Sequence, residues 1–403
     1  MARIWLINQY SSTPATGMGG RHHYLARELA KRGHQVTLIA ASWHHLLREP
    51  DGRINLPKTE QVDGYTFYRI SVPRYKSAHS KKRIWNWFAF AYKVSKLYRT
   101  LLKKPDVILQ SSPSLIAYLG AERLARRLGA RLVFEVRDIW PKTLIEGTGV
   151  SPSHPFIRFM QLVEDRAYRN ADALVSNLEG CIEHMVSRGA ERNKFTWVSN
   201  GVSLGETTAR KPLSPEVVAM IPSDGLRIAY TGTLGHLNML DNLIEAVALV
   251  REARLIIVGQ GPSKSTLECK AAKLGLENVV FTGPIPKDQI QSLLADVDAC
   301  FIGLPPHSLF RYGVSPNKLF DYMLAAKPVL YAIDSGDYGP IGAFSAGFCI
   351  PPNDTEALVQ AIVKLRDMPV EEREQMGVNG RKVVREFYDY AKLAVKLERV
   401  LLP

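Results

Sequence analysis

The chain reads as an α/β protein of two doubly wound, Rossmann-like domains facing a cleft, and three observations predict this. Its 403 residues exceed what one core of ordinary size organises, so two domains of about 150–200 residues are the natural partition. Short, continuously apolar runs alternate with amphipathic segments, the pattern of a parallel sheet covered on both faces. The alternation stops once, near residues 203–225, where Pro212, Pro215 and Pro222 mark a linker, and then restarts. Two such domains leave a cleft at the carboxyl ends of their strands, where open α/β sheets bind ligands.

The elements follow in order. RIWLIN (3–8) is a buried strand, followed by a loop ending in GMGG (17–20) and a helix through YLARELAKRG that stops at Gly33. VTLIAAS (36–42), DVILQSS (106–112), RLVFEV (131–136) and ADALVSN (171–177) are further strands, with a helical pattern between the second and third of these ending at Gly129. In the second half come LRIAYTG (226–232), a helix over 240–251, ARLIIVG (253–259), a helix over 263–275, VVFTG (279–283), ACFIGL (299–304) and PVLYAI (328–333). A final helical stretch over about 371–402 is long enough to reach back to the first domain. The expected domains are 1–203, joined by a returning helix over about 386–403, and 204–385.

Composition narrows the class. Hydrophobic residues are 46% and charged residues 23%, the balance of a folded globular protein rather than a disordered or fibrous one. The net charge of +13 is unevenly held: residues 1–200 carry 31 Lys and Arg against 16 Asp and Glu, whereas the remainder carries 21 against 23. The first half is expected to face something anionic. Cys181, Cys269, Cys300 and Cys349 are far apart and form no C-x-x-C pair, which speaks against a disulfide framework and fits a reducing cytoplasm. The apolar run Ile4–Ile7 is too short for a signal-peptide core, and no run approaches a bilayer span.

The sharpest local signal is SPNKLFDYMLAAKPV (315–329). Ser315 suits an N-cap, Pro316 suits the first turn, and Asn317 and Lys318 lie inside it. A cation there opposes the helix dipole, a cost that makes sense if Lys318 and the free N–H groups together address a phosphate. Asp321, three residues on, shares a helix face with Lys318 and is placed to accept from ribose hydroxyls; a solvated Lys–Asp pair is the competing reading. Gly17, Gly19 and Gly20 permit close backbone approach ahead of the first helix, although the spacing is not G-x-G-x-x-G and a ligand-free turn is the plain alternative.

These segments resemble the GT-B glycosyltransferases of family 4, in a bacterial O-antigen and capsule branch that includes N-acetyl-fucosamine-type transferases. GMGG matches the family's first-loop glycines, FEVRDIWP (134–141) its E-x-R-D-x-W-P, and FTWVSNGV (195–202) the N-G-V that ends the first domain. YTGTLG (230–235), with Gly232 and Thr233, and IIVGQGP (256–262), with Gly259 and Gly261, are similar to the second domain's phosphate and base loops. VVFTGPIP (279–286), with Ile285, is similar to its base-contacting turn. The departures are specific. Of the family's two glutamates eight positions apart, the first falls on Gly313 and the second on Asp321. Thr233 and Asn238 stand where many members carry Arg and Lys, and the usual first-domain histidine is absent.

The resemblance implies retaining, metal-independent transfer from a UDP-linked N-acetyl-hexosamine or deoxy derivative to an isoprenoid-diphosphate-linked saccharide at the cytoplasmic membrane face. Ser315 to Lys318 would hold the diphosphate, with Arg311 or Arg137 as a further cation, Gly19 and Gly20 closing over it from the first domain, and Asp321 on ribose. Domain closure would then exclude water. Glu135, Arg137 and Asp138 lie at a strand's end, where a carboxylate could take a hydroxyl proton and an arginine could pair with phosphate; a structural Arg–Asp pair is the alternative. His22, beside His23 in the first helix, could reach an acceptor hydroxyl or simply face solvent. His44 and His45 lack partners at metal-ligand spacing, and no metal or other cofactor is expected.

Residues 74–104 contain ten Lys and Arg and no acid, interleaved with Trp85, Trp87, Phe88, Phe90, Tyr92 and Tyr98. That composition suits an interfacial helix on an anionic membrane, with core aromatics under solvated lysines as the competing reading. No nucleic-acid-binding module accompanies it, so nucleic acid is not an expected partner. A nucleotide-sugar 2-epimerase, a non-catalytic membrane-binding adaptor and a glycogen-synthase-like polymerase are the rival functions.

Overall fold

A computed structural model describes residues 1–17, 19–48, 57–75, 80, 82–100, 102–207 and 210–403. Met18 of the GMGG loop, Lys76 and Lys81 of the basic stretch, and residues 208–209 of the linker lie outside the described residues. The chain forms two compact units, Met1–Ser199 with Tyr390–Pro403, and Asn200–Asp389.

The first unit holds β1 (Arg3–Ile7), β2 (Gln35–Ala41), β3 (Thr59–Val62), β4 (Tyr65–Ile70), β5 (Val107–Ser111), β6 (Arg131–Val136), β7 (Ala173–Ser176) and β8 (Phe195–Trp197). They form one sheet in the order β3-β4-β2-β1-β5-β6-β7-β8, parallel except where β3 meets β4. Both faces of β1 are buried: Ile4, Trp5, Leu6 and Ile7 are all inside. The second unit holds β9 (Leu226–Thr231), β10 (Ala253–Val258), β11 (Val279–Gly283), β12 (Ala299–Gly303), β13 (Val329–Ala332) and β14 (Gly347–Cys349), an all-parallel sheet in the order β11-β10-β9-β12-β13-β14. Strand order reverses between β1 and β5 in one sheet and between β9 and β12 in the other. A ligand crevice is expected at the carboxyl ends of those pairs.

The expected alternation is present, with differences that have local causes. The hairpin β3–β4 was not foreseen, although Asp63-Gly64 between the strands is a strong hairpin turn; both residues have positive φ, 42° and 86°. The stretch near 203–225 is not a plain linker, since helices Leu204–Thr207 and Pro215–Met220 lie in it, the latter capped by Ser214. The expected 371–402 helix is two, Val370–Phe387 and Tyr390–Leu401.

The units change at 199/200 and 389/390 rather than at 203/204 and near 386. Val202 bridges Asp389 and donates to the Tyr388 carbonyl at 2.9 Å, and Tyr388 packs on Phe320. These contacts tie both crossing strands of chain to the second unit. The helix Tyr390–Leu401 returns to the first, where Tyr390 stacks on Tyr24 with centroids 4.7 Å apart and Glu398 binds His34 at 2.6 Å.

Candidate functional site

In the second unit the chemistry gathers at the switch point. The helix Asn317–Leu324 follows β12, and Lys318, its second residue, reaches to the loop after β9. Lys318 Nζ donates to the Tyr230 hydroxyl at 2.7 Å and to Asn238 Oδ1 at 3.3 Å, and lies 4.1 Å from the Tyr230 ring centroid. Tyr230 Oη donates to the Thr233 carbonyl at 2.6 Å, and Asn238 Nδ2 to the same oxygen at 2.9 Å. Lys318 thus has two neutral acceptors and a third N–H left over. With no carboxylate to compensate, burial lowers its ammonium to about 8.

Asp321 does not pair with it, which removes the solvated Lys–Asp reading. No hydrogen bond or ion pair joins the Asp321 carboxylate to a described residue, and burial raises it to about 6. A cation without a carboxylate, and a carboxylate that only the charge of Lys287 acts on without a direct bond, are expensive for the fold alone on successive turns of one helix.

Ser315 is not the N-cap. The helix begins after Pro316 with no side-chain cap, because Ser315 Oγ accepts from the Asn200 amide at 3.0 Å and its carbonyl from Asn200 Nδ2 at 2.7 Å. The N-G-V motif at 200–202 therefore holds the segment ahead of Lys318, leaving the helix's first N–H groups open. Arg311 donates to Tyr312 Oη at 3.0 Å.

Gly232, Gly259 and Gly261 serve the protein's own packing first. A Cβ on Gly259 would lie 1.8 Å from the Gly232 carbonyl oxygen, and one on Gly261 2.3 Å from that of Leu234. A Cβ on Gly232 would stand 3.0 Å from Lys318 Nζ, so this glycine makes space for the ammonium. The loops after β9 and β10 thus meet backbone against backbone at these glycines. Thr233 is exposed, and Ile285 is half-buried after β11.

In the first unit Glu135, at the end of β6, lies in a buried triad. Arg21 Nε donates to Glu135 Oε1 at 2.9 Å, and His22 Nε2 lies 2.7 Å from Oε2. Arg21 also donates to the carbonyls of Val198, at 2.7 Å, and Ser199. Burial would raise the Glu135 carboxyl, but Arg21, then His22 and Arg137, hold it well below the usual carboxylate range. Glu135 is therefore no free base; it is an ionised anchor. Burial, opposed by Glu135, lowers His22 from its ordinary value. The imidazole is thus neutral near pH 7, and an ionised Glu135 makes Nε2 the protonated nitrogen. Nδ1 then carries a lone pair that no described residue uses. His22 is buried at this triad, not on a solvent face.

Arg137 follows Glu135. Its amide donates to Ser112 Oγ at 2.8 Å, its guanidinium hydrogen-bonds to no described residue, and Nε is buried. Burial lowers its pKa from the ordinary value. Asp138 is exposed and makes no hydrogen-bonded ion pair with Arg137, although each charge favours the other's ionised form. Gly19 and Gly20, with φ of 62° and 75°, precede the uncapped start of helix Arg21–Lys31. His44 is buried, donates Nε2–H to the Ser11 carbonyl at 3.1 Å and is lowered to about 4 by burial. Among the described residues no three His, Cys, Asp or Glu side chains come together as a metal site.

Residues 16–201 match the family described as the glycosyl transferase 4-like domain, and residues 218–383 the family described as glycosyl transferases group 1. The two domains are those of a glycosyltransferase. Across 400 residues the chain is 24% identical to WcaI of Escherichia coli (strain K12), provisionally named a colanic acid biosynthesis glycosyl transferase, covering 93% of this chain and 96% of WcaI. The fold is similar to that of sucrose-phosphate synthase from Thermosynechococcus elongatus (TM-score 0.72, 17% identity, 99% of this chain and 98% of that one). It is also similar to Anabaena HepE, solved with UDP and glucose (TM-score 0.65, 14% identity, 100% and 99%). The architecture is accordingly GT-B.

Four participants escaped sequence reading. Tyr230 reads as core, Asn238 as the absence of a cation, and Asn200 as a domain end. Arg21 drew no reading, because it and Glu135 meet only through the folded sheet.

Proposed function

We propose that this glycosyltransferase moves a sugar, an N-acetyl-hexosamine or a deoxy derivative, from a UDP-sugar to a hydroxyl of a lipid-linked saccharide. It would do so with retention, at the cytoplasmic face of the plasma membrane, in the building of a bacterial surface polysaccharide such as O-antigen or capsule. The observation that carries the donor half is Lys318, a half-buried ammonium without a carboxylate at the switch point of the second sheet. UDP in HepE and the colanic acid assignment of WcaI support the nucleotide and the pathway class.

Lys318 and the open N–H groups of the segment Ser315-Pro316-Asn317 take the diphosphate, Asp321 accepts from the ribose hydroxyls, and Gly232, Thr233, Gly259, Gly261 and Ile285 line the nucleotide. In the first unit His22 Nδ1 accepts from a hydroxyl of the reacting sugars. Arg137 pairs with a phosphate of donor or acceptor, and Asp138 binds a sugar hydroxyl. Gly19 and Gly20 leave the following N–H groups open to an anion.

The bond between the anomeric carbon and the donor's phosphate oxygen breaks, and the acceptor oxygen bonds that carbon on the same face. The hydroxyl proton leaves with the diphosphate. Fixed donors facing the departing phosphate supply the largest stabilisation. No divalent ion is required in this account, and activity should survive EDTA. Residues 74–104 hold the enzyme on anionic lipid.

Incubation with UDP-N-acetylglucosamine separates this reading from epimerisation. A sugar transferred to isoprenoid-diphosphate-linked saccharide, with UDP released, supports it. The 2-epimer formed without acceptor contradicts it.

A further inference from the structure

The helix Lys82–Val94 buries Trp87, Phe90, Ala91 and Val94 in the first unit. Core packing therefore explains those aromatics but not three others. Trp85 is 74% exposed, Phe88 39% and Tyr92 65%, and their spacing of three and four residues puts them on one stripe. Phe88 does not stand alone. It stacks on Phe159 of the helix Pro155–Asn170, with centroids 5.9 Å apart, and Trp87 stacks on Phe156 of that helix at 6.3 Å. One turn beyond Phe159 is Leu162, 66% exposed. Two apolar stripes thus run outward from a shared aromatic contact.

The charge around them has one sign. Lys82, Lys93, Arg158 and Arg169 are exposed on the two helices, while Arg166 is neutralised by Glu122 at 2.7 Å. The helix Lys82–Val94 contains no acid, and both acids of its neighbour are engaged: Glu164 is buried against Tyr168 and His184, and Asp165 holds Arg188 through two bonds of 2.8 Å. Large aromatics and a leucine in water, ringed by cations without free carboxylates, suit the headgroup layer of an anionic bilayer. An acidic protein partner would match the charge but would not account for side chains that gain most by entering the acyl boundary.

We infer that Pro155–Asn170 is the second half of the membrane-docking face, with Phe159, Leu162 and Arg158 entering the same anionic bilayer as Trp85, Phe88 and Tyr92. The inference rests on the membrane reading above and extends it to a helix outside residues 74–104.

Flotation of the full chain with vesicles of phosphatidylcholine and phosphatidylglycerol (3:1), and of phosphatidylcholine alone, tests it. The wild type should float with the anionic vesicles only. Leu162→Asp should weaken that binding roughly tenfold, as should Trp85→Asp. Leu249→Asp, at an equally exposed leucine of the second unit, should leave it unchanged. Wild-type binding by Leu162→Asp, with binding lost in Trp85→Asp, would overturn the inference while sparing the single-helix reading. A wild type that does not float with anionic vesicles would overturn both.

Discussion

Lys318 and Asp321 stand one turn apart on the same helix with opposite charges, and neither neutralises the other. Their stability terms have opposite dependence on pH. Lys318 has a folded pKa near 8, below its unfolded value, so stability rises with pH between about 8 and 10.5, and below pH 8 the ammonium is held charged at a cost that a diphosphate relieves. UDP affinity should therefore fall about tenfold between pH 7.5 and 9, measured by titration calorimetry, and Lys318→Ala should flatten that dependence. Asp321 has a folded pKa near 6, above its unfolded value. The folded chain keeps a proton that the unfolded chain has released between about pH 4 and 6, so stability declines across that window and stays lower above it. Asp321→Asn should raise the melting temperature at pH 7.5, by the equivalent of up to about 2 kcal/mol, while weakening UDP binding. Glu135 has the reverse sign. Its depressed folded pKa contributes stability above the ordinary carboxylate range, lost only as pH falls well below it. Glu135→Gln leaves the buried Arg21 charge uncompensated and should cost about 3–5 kcal/mol in denaturant unfolding. Lys318 was legible because helix start, lysine and acid sit within seven residues. The triad was not, because Arg21 and Glu135 are 114 residues apart and only the sheet brings them together.

At the scale of elements, the loops after β9 and β10 are built backbone against backbone. Gly259, with φ of 142°, allows the Gly232 carbonyl to approach where any Cβ would collide. Gly259→Ala should lower the stability of the second unit and its UDP binding together, whereas Gly275→Ala, with φ of 62° and open space around it, should cost about 1 kcal/mol and spare binding. Parallel strands were readable because both faces are buried and the runs are apolar throughout. β4 and the edge strands β3, β8 and β14 were not, since YTFYRI is interrupted by polar residues and TEQV, FTW and GFC are short and carry no such run. The helix start at Asn317 was misread by one residue for a tertiary reason: Asn200 supplies the partner that Ser315 would otherwise seek in its own helix.

For the whole molecule, the charge asymmetry of the sequence has a structural counterpart. The basic half builds the first unit, with its outward aromatic and cationic helices, and the near-neutral half builds the unit containing Lys318. The two α/β domains could be read from strand patterning, but the exchange at 389/390 could not. It depends on the Val202–Asp389 bridge, and amphipathic periodicity continues through the break. Donor recognition by the second unit rests on Lys318, a cation with neutral hydrogen-bond partners and no carboxylate. Calorimetric titration of the full chain with UDP, in EDTA at pH 7.5, tests it most directly. Saturable binding is expected, weakened by Lys318→Ala roughly 10- to 100-fold, the worth of a charged hydrogen bond, at unchanged secondary structure. Equal affinity of wild type and Lys318→Ala, or no binding of UDP by the wild type, would contradict it.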